Sequence, residues 1–286
     1  MIEKTEILSL SKSLNLLPTT IEKDYVLGWI LMAIYHSSNM NSTWIFKGGT
    51  CLKKCYFEKY RFSEDLDFTL LNPQHIDKVF LKEFLQEISQ WIYEESEIAI
   101  SEKLSTFDIY RNSKNQIMAE CKLTFHGPLR QKTNFPRIKL DLTASEQLLL
   151  PSEKRVIFHP YSDKPSNLPL ATCYCYEELF AEKLRALTER MRPRDLYDIV
   201  HLFQQHQLVS SKEILTKTLL QKCQSKQIPF PTLEILEQHA YKPSLPLQWD
   251  NMLAHQVSTL DTYDTFWEHL THIFDWLNSA DSMDEK

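Results

Sequence analysis

Phe46-Lys47-Gly48-Gly49-Thr50, followed by Arg61-Phe62-Ser63-Glu64-Asp65-Leu66-Asp67-Phe68, is the stretch on which the fold turns. Trp44-Ile45-Phe46 reads as a short buried strand feeding a tight turn at Gly48-Gly49. Thr50 to Tyr60 reads as a helix and Phe62 to Leu70 as a second strand. Side chains alternate between the faces of a strand, so Asp65 and Asp67 share one face while Leu66 and Phe68 point into a core. Two carboxylates held that close repel unless a cation lies between them. Mg²⁺ suits the position, because it takes hard oxygen ligands and keeps coordination positions for phosphate. Taken alone, the pair is also explained by the solvated edge of a half-buried strand.

Three further features favour a metal site. Arg137-Ile138-Lys139-Leu140-Asp141-Leu142-Thr143 alternates so that Ile138, Leu140 and Leu142 face the core and Asp141 the other side. A third carboxylate from a neighbouring strand would complete a two-metal site, although Lys139 on the same face offers Asp141 an ordinary surface partner. Gly48-Gly49-Thr50 lies between strand and helix, where glycines let the backbone approach phosphate and a helix start offers N–H groups to anions. The spacing is not that of a P-loop. Glycine is also scarce, with only four in the chain, and two stand side by side at this turn.

Working outward, Ile21 to Tyr35 has helical periodicity, with Thr19 or Thr20 as its expected cap. His75 to Glu95 reads as a long amphipathic helix. Ile117 to Phe125 alternates like a strand, and Val156 to Phe158 reads as a further short one. Pro151, Pro160, Pro165 and Pro169 punctuate a stretch with little pattern, which puts a domain boundary near residue 168. Beyond it, Glu177 to Arg190, Pro193 to His206, Lys212 to Cys223 and Thr265 to Leu277 read as helices. Pro229, Pro231, Pro243 and Pro246 mark a long loop around one more short helix, and Asp281 to Lys286 reads as a frayed tail. The expected layout is α+β: residues 1–168 as a mixed sheet flanked by helices, then residues 169–286 as an all-helical domain.

Composition sets the outer limits. The chain has 286 residues, 43% of them apolar, enough for one large core or two ordinary ones. Its net charge of −6 does not advertise a nucleic-acid binder. Bases nevertheless cluster at Arg111, Lys114, Lys122, Arg130, Lys132, Arg137 and Lys139, and again at Lys183, Arg185, Arg190, Arg192 and Arg194. Such clusters suit a phosphate backbone, or simply a solvated basic face. Glu3, Lys4 and Glu6 interrupt any N-terminal apolar core, and the run from Tyr25 to Tyr35 is too short to span a bilayer. A cytoplasmic protein with reduced thiols is expected, since the six cysteines show no CxxC pair. Cys51 and Cys55 read as helical packing, with a metal half-site as the alternative.

Lys183 lies one helical turn from Leu179, Phe180 and Leu187, at the edge of an apolar face. It either snorkels to water or is held to meet a triphosphate. Arg192-Pro193-Arg194-Asp195-Leu196-Tyr197-Asp198 opens the next helix, where Pro193 and Asp195 are ordinary helix-start chemistry. Asp198 is less easily explained by a surface pair with Arg194, because exposed pairs contribute little.

The two opening motifs, together with Glu182-Lys183-Leu184-Arg185-Ala186-Leu187 and Arg194-Asp195-Leu196-Tyr197-Asp198, resemble the AbiEii/AbiGii-type nucleotidyltransferase toxins. Glu22-Lys23-Asp24-Tyr25 looks like that family's N-terminal helix motif, and the resemblance spans roughly residues 20 to 205. It implies a DNA polymerase β-like nucleotidyltransferase fold with a helical C-terminal domain. It also implies a toxin of a toxin–antitoxin or phage-defence pair, made beside a separate antitoxin. Studied members transfer nucleotides, some onto the acceptor end of tRNA. By motif position Asp65 and Asp67 would bind metal, and Lys183 and Asp198 would be essential for activity. Thr50 stands where the wider superfamily usually has serine.

The expected chemistry is nucleotidyl transfer from an NTP with two Mg²⁺ ions. Lys47, Gly48, Gly49, Thr50, Arg61, Ser63 and Lys183 would bind nucleotide; Asp65, Asp67 and Asp141 would hold metal. The catalytic set would be Asp65, Asp67, Asp141, Lys183 and Asp198, in a cleft of which the DxD pair forms one wall. Transfer to a small molecule or a protein hydroxyl, a non-catalytic partner-binding role, and a metal-dependent phosphohydrolase are the alternatives.

Overall fold

Strands alternate because one face of each must leave water, and here the apolar face lies under two long helices. The computed structural model describes residues 1–112 and 115–279, so Lys114 and the tail Asp281 to Lys286 lie outside the described residues. The helices are α1 (Lys4–Leu14), α2 (Pro18–His36), α3 (Gly48–Cys51), α4 (Lys78–Ser96), α5 (Tyr176–Arg190), α6 (Pro193–Gln204), α7 (Lys212–Lys226), α8 (Leu233–Glu237), α9 (Leu245–Leu253) and α10 (Tyr263–Asn278). The strands are β1 (Trp44–Lys47), β2 (Asp65–Leu70), β3 (Ala99–Ile100), β4 (Thr106–Arg111), β5 (Ile117–His126), β6 (Arg137–Thr143), β7 (Glu153–Val156) and β8 (Leu170–Cys173).

The chain divides into two compact units. The first comprises Met1–Tyr174 with Gln256–Ser258 and holds the sheet. Strand order is β3-β5-β6-β2-β1-β8-β7, with β4 paired to β5 outside this path. The sheet is mixed: β2 runs parallel to β6 and β1 to β8, and the other pairs are antiparallel. Phe46, Phe68, Leu142 and Ala119 share one register row, and Leu66, Leu140 and Cys121 share the next. All seven are buried. Trp44 adds to this face against Phe68 and the α4 residue Phe84, with ring centroids 5.4 and 4.9 Å away. α2 is buried along nearly its whole length from Thr20 to Tyr35, as expected of a helix apolar on every side.

Two charges are buried within α2. Asp24 pairs with Lys54 at 2.7 Å and accepts from the Tyr161 hydroxyl at 2.8 Å, while Lys54 also donates to the Asp24 carbonyl at 2.9 Å. Burial of the Asp24 carboxyl would raise its pKa, but the adjoining Lys54 and Lys53 charges and the two hydrogen bonds hold it below the usual carboxylate range. Glu22 accepts from the Leu129 amide at 2.7 Å, and burial pushes its pKa up.

The second unit, Cys175–His255 with the chain from Thr259 on, is helical throughout its regular elements. α5 packs against α6 and α7, and α10 against α6, α8 and α9. Among the described residues no helix is long and apolar enough to cross a membrane.

Several local expectations change. Pro18, not Thr19 or Thr20, stands at the start of α2, and Leu17 precedes it without a side-chain cap. The helix read over Thr50 to Tyr60 begins at Gly48 and passes into a π-helical turn, Leu52–Tyr56. The strand read from Phe62 starts only at Asp65, because the Phe62 amide bonds the Gln256 carbonyl at 2.7 Å. β7 covers Glu153–Val156 rather than Val156 to Phe158, as the Phe158 amide bonds Lys54. The proline-rich loop after Pro229 contains α9, with Pro246 in its first turn where a missing N–H costs nothing. α1, β3, β4 and β8 are additional elements.

Candidate active site

The polar face of the sheet is built by register. Lys47 of β1 lies opposite Asp67 of β2, Asp67 beside Asp141 of β6, and Asp141 opposite Glu120 of β5. The next row on the same face holds Asp65, Lys139 and Lys122. Asp65, Asp67 and Asp141 therefore come onto one face across two adjacent strands, each partly exposed.

Charge on this face is concentrated and incompletely balanced. Lys139 places its ammonium 2.9 Å from Asp141 and 3.1 Å from Glu120, and Lys122 lies 2.7 Å from the other Glu120 oxygen. Partial burial raises the Asp141 pKa, and the charges of Asp67 and Glu120 add to the rise against the opposing pull of Lys139. Desolvation pulls Lys139 down, but its hydrogen bonds to Asp141 and Glu120 outweigh this and raise it. The Asp141–Lys139 pair anticipated from strand alternation exists, then, and Glu120 shares it. Glu120 was not among the sequence candidates; it lies on the outward face of an alternating strand but becomes visible only once β5 is paired with β6.

The glycine turn fits against these carboxylates. Gly48 has φ +81°, and a side-chain carbon there would overlap the Asp67 carboxylate. A side-chain carbon on Gly49 would overlap the Arg61 guanidinium and approach Ser63 Oγ to 3.3 Å. Arg61 is buried and donates to Gln256 Oε1 at 3.0 Å. Thr50 is buried, and its hydroxyl donates to the Asp65 carbonyl, which joins α3 to β2. Lys47 is paired with Glu146, and Lys23 lies 2.6 Å from Glu64.

Lys183 and Asp198 belong to the second unit. Lys183 on α5 is 7% exposed, too buried to snorkel, and its ammonium lies 2.7 Å from Asp198 and 3.6 Å from Asp195 on α6. Both aspartates are fully buried. Arg190 clamps Asp195 through Nε at 2.7 Å and Nη2 at 2.8 Å, the two-pronged geometry that suits guanidinium and carboxylate. Asp198 thus has a buried cation beside it in Lys183. Arg185 is paired with Glu182 and Glu189. Of the basic residues first noted, Arg111, Arg130, Lys132, Arg137, Arg190 and Arg192 are exposed.

A mixed sheet with a DxD strand beside a glycine turn, and a third carboxylate in register on the neighbouring strand, defines a nucleotidyltransferase domain of the polymerase β-like superfamily. The family model described as nucleotidyl transferase AbiEii toxin, Type IV TA system, matches residues 29–275, and the chain belongs to that family. Among solved structures, MenT4, a nucleotidyltransferase toxin of Mycobacterium tuberculosis H37Rv, is similar in fold. It has a TM-score of 0.68 at 17% identity, covering 99% of this chain and 91% of that one. A search of curated proteins finds no match.

Proposed function

We propose that this toxin transfers a nucleoside monophosphate from an NTP to an acceptor hydroxyl in a Mg²⁺-dependent reaction, and that the acceptor is the 3′ end of tRNA. The observation that carries the reading is the register of Asp65, Asp67 and Asp141 on one sheet face, with Gly48 against Asp67. The three donors are all hard carboxylate oxygens; partial burial raises the Asp141 pKa, and the neighbouring Asp67 and Glu120 charges add a smaller part that a cation would relieve. These residues fit Mg²⁺ and would hold two ions. When bound, such ions neutralise the triphosphate and lower the pKa of the attacking hydroxyl.

The chain's own groups have distinct roles in this reading. Gly48 and Gly49 let backbone approach the β and γ phosphates. Thr50, through its bond to the Asp65 carbonyl, fixes the DxD strand against that turn. Arg61 and Ser63 support Gly49 from behind, and Lys47 supplies positive charge at the end of β1. Lys139 holds Asp141 and Glu120 on one ammonium, which keeps Asp141 from being expelled by its neighbours' charge. Lys183 balances charge that develops on the phosphates, and Asp198 positions it. The family's toxin–antitoxin character supports a separate antitoxin as partner, and a tRNA acceptor would be met in the cytoplasm.

The test is incubation of the purified protein with each α-labelled NTP, Mg²⁺ and total RNA, resolved on a gel. Label is expected on a tRNA-sized band with one preferred NTP. Asp65→Ala should abolish labelling and leave the circular dichroism spectrum unchanged. Labelling retained by Asp65→Ala would sink the carboxylate assignment, and label found only on protein or a small molecule would sink the tRNA acceptor.

A further inference from the structure

Three thiols meet behind the glycine turn and have no part in nucleotidyl transfer. The Sγ atoms of Cys51, Cys55 and Cys173 lie within 4.8 Å of one another. The three residues are 0%, 2% and 0% exposed. Cys51 ends α3, and Cys55, four residues on, lies on the same helical face. Cys55 falls inside the π-helical turn Leu52–Tyr56, a widened geometry frequent at functional sites. Cys173 comes from β8, where it pairs with Phe46 of β1. Packing alone would explain a buried cysteine, which behaves as a small apolar side chain. It gives no reason for three to converge from two elements, while Cys121, Cys175 and Cys223 take no part in such a cluster.

We propose that Cys51, Cys55 and Cys173 form a three-thiolate site for a soft, low-coordinate cation, Cu(I). Among the described residues no histidine or carboxylate joins the cluster. The neighbouring Tyr35 hydroxyl is directed at the Trp44 and Thr172 carbonyls, and that of Tyr56 at the Tyr174 carbonyl. Three sulfur donors without a fourth, hard ligand suit trigonal Cu(I); structural Zn²⁺ requires four ligands. With metal–sulfur bonds of about 2.3 Å, a trigonal ion holds its sulfurs about 4 Å apart, so the cluster need close by less than about 1 Å. Binding forms three copper–sulfur bonds and releases three thiol protons to solvent, with no change in oxidation state.

The surroundings help to carry the resulting negative charge. Burial disfavours thiolate at all three positions. The cationic side chains of Arg155 and Lys54 act on Cys55 and offset part of that cost. Arg155 is itself fixed over the Tyr56 ring, 3.8 Å from its centroid. A bound ion would tie α3 to β8, whose next residue, Tyr174, bonds Phe46 through its amide at 3.0 Å and Thr69 through its hydroxyl at 2.7 Å. The proposal is independent of the nucleotidyl-transfer reading.

The experiment is an anaerobic titration of the full chain with Cu(I) supplied as its bicinchoninate complex, both to native protein and during refolding. One equivalent per chain is expected, with thiolate-to-copper charge-transfer absorption in the near ultraviolet and a raised thermal midpoint. Cys55→Ala and Cys173→Ala should lose the equivalent, whereas Cys121→Ala should keep it. X-ray absorption of the copper-loaded wild type should show three sulfurs on the metal, a readout that does not depend on the variants folding. No uptake by either route would overturn the proposal. So would equal uptake by Cys55→Ala, fewer than three sulfurs at the metal, or preferential binding of Zn²⁺.

Discussion

Asp67 is crowded from two sides, by Gly48 behind it and by Asp141 on the next strand. Gly48→Ala would put a side chain where φ is positive and the Asp67 carboxylate already stands. Strain of this kind costs about 1–3 kcal/mol. The variant should melt several degrees lower, and equilibrium dialysis with Mn²⁺ should show weakened binding, because Asp67 must move. Binding as tight as in the wild type would mean that Asp67 is not a ligand. The carboxylates of β2 and β6 were legible in the sequence because strand periodicity fixes the face of each residue without knowledge of partners. Glu120 and Glu146 were not. Their relevance depends on which strand or loop lies opposite, and that is decided by pairing across the fold.

At the scale of elements, α5 and α6 are held by a buried group of charges. Lys183→Met would take the ammonium from Asp198 and Asp195 in a dry interior, while Asp195 keeps Arg190. Breaking a buried pair from one side typically costs about 3–5 kcal/mol. A double variant, Lys183→Met with Asp198→Leu, should recover much of that loss in urea unfolding. It should not recover nucleotide transfer, and this separates a structural role from a functional one; transfer by the double variant would remove both residues from the mechanism. The lysine's position at the edge of an apolar stripe was readable from helical spacing. Its pairing with Asp198 came from the expected mechanism, in which Asp198 positions Lys183 or the acceptor, and not from spacing, since residues on two helices meet only through their crossing. α9 escaped notice for a different reason: its prolines read as loop punctuation, although a proline in the first turn of a helix leaves its hydrogen bonding intact.

Across the whole molecule, acid stability should depend on His159 in the first unit. Its ring is buried between Tyr25, Trp29 and Tyr161, with Nδ1 close against Gly28 and Nε2 3.4 Å from Asp163. Burial lowers its pKa, and the Lys54 charge adds to this, against the raising effect of Asp163 and Asp24. In the unfolded chain the same histidine takes up a proton near its ordinary value, about pH 6.5. Between that value and the lower folded one, the unfolded state binds more protons, so stability rises with pH and falls on acidification. The thermal midpoint should therefore drop from about pH 7 downward, and His159→Gln should flatten that slope. An unchanged slope would assign the acid sensitivity elsewhere. The two-part layout was visible in the change from alternating to helical patterning. β8 was hidden because Leu170–Cys173 is too short to show a period, and its strand character comes from docking beside β1.

Gln256 is fully buried within the first unit, where it accepts from Arg61 and gives its carbonyl to the Phe62 amide. A chain emerging from the ribosome presents the glycine turn and the DxD strand long before that residue is made. Loop closure over so long a stretch has to wait for synthesis to reach it. Arg61, the support behind Gly49, therefore lacks this anchor until Gln256 has been made. A chain released between Asp198 and Gln256 would carry every carboxylate of the candidate site yet lack the last brace of its turn. Toxicity would then be acquired only after synthesis has passed Gln256.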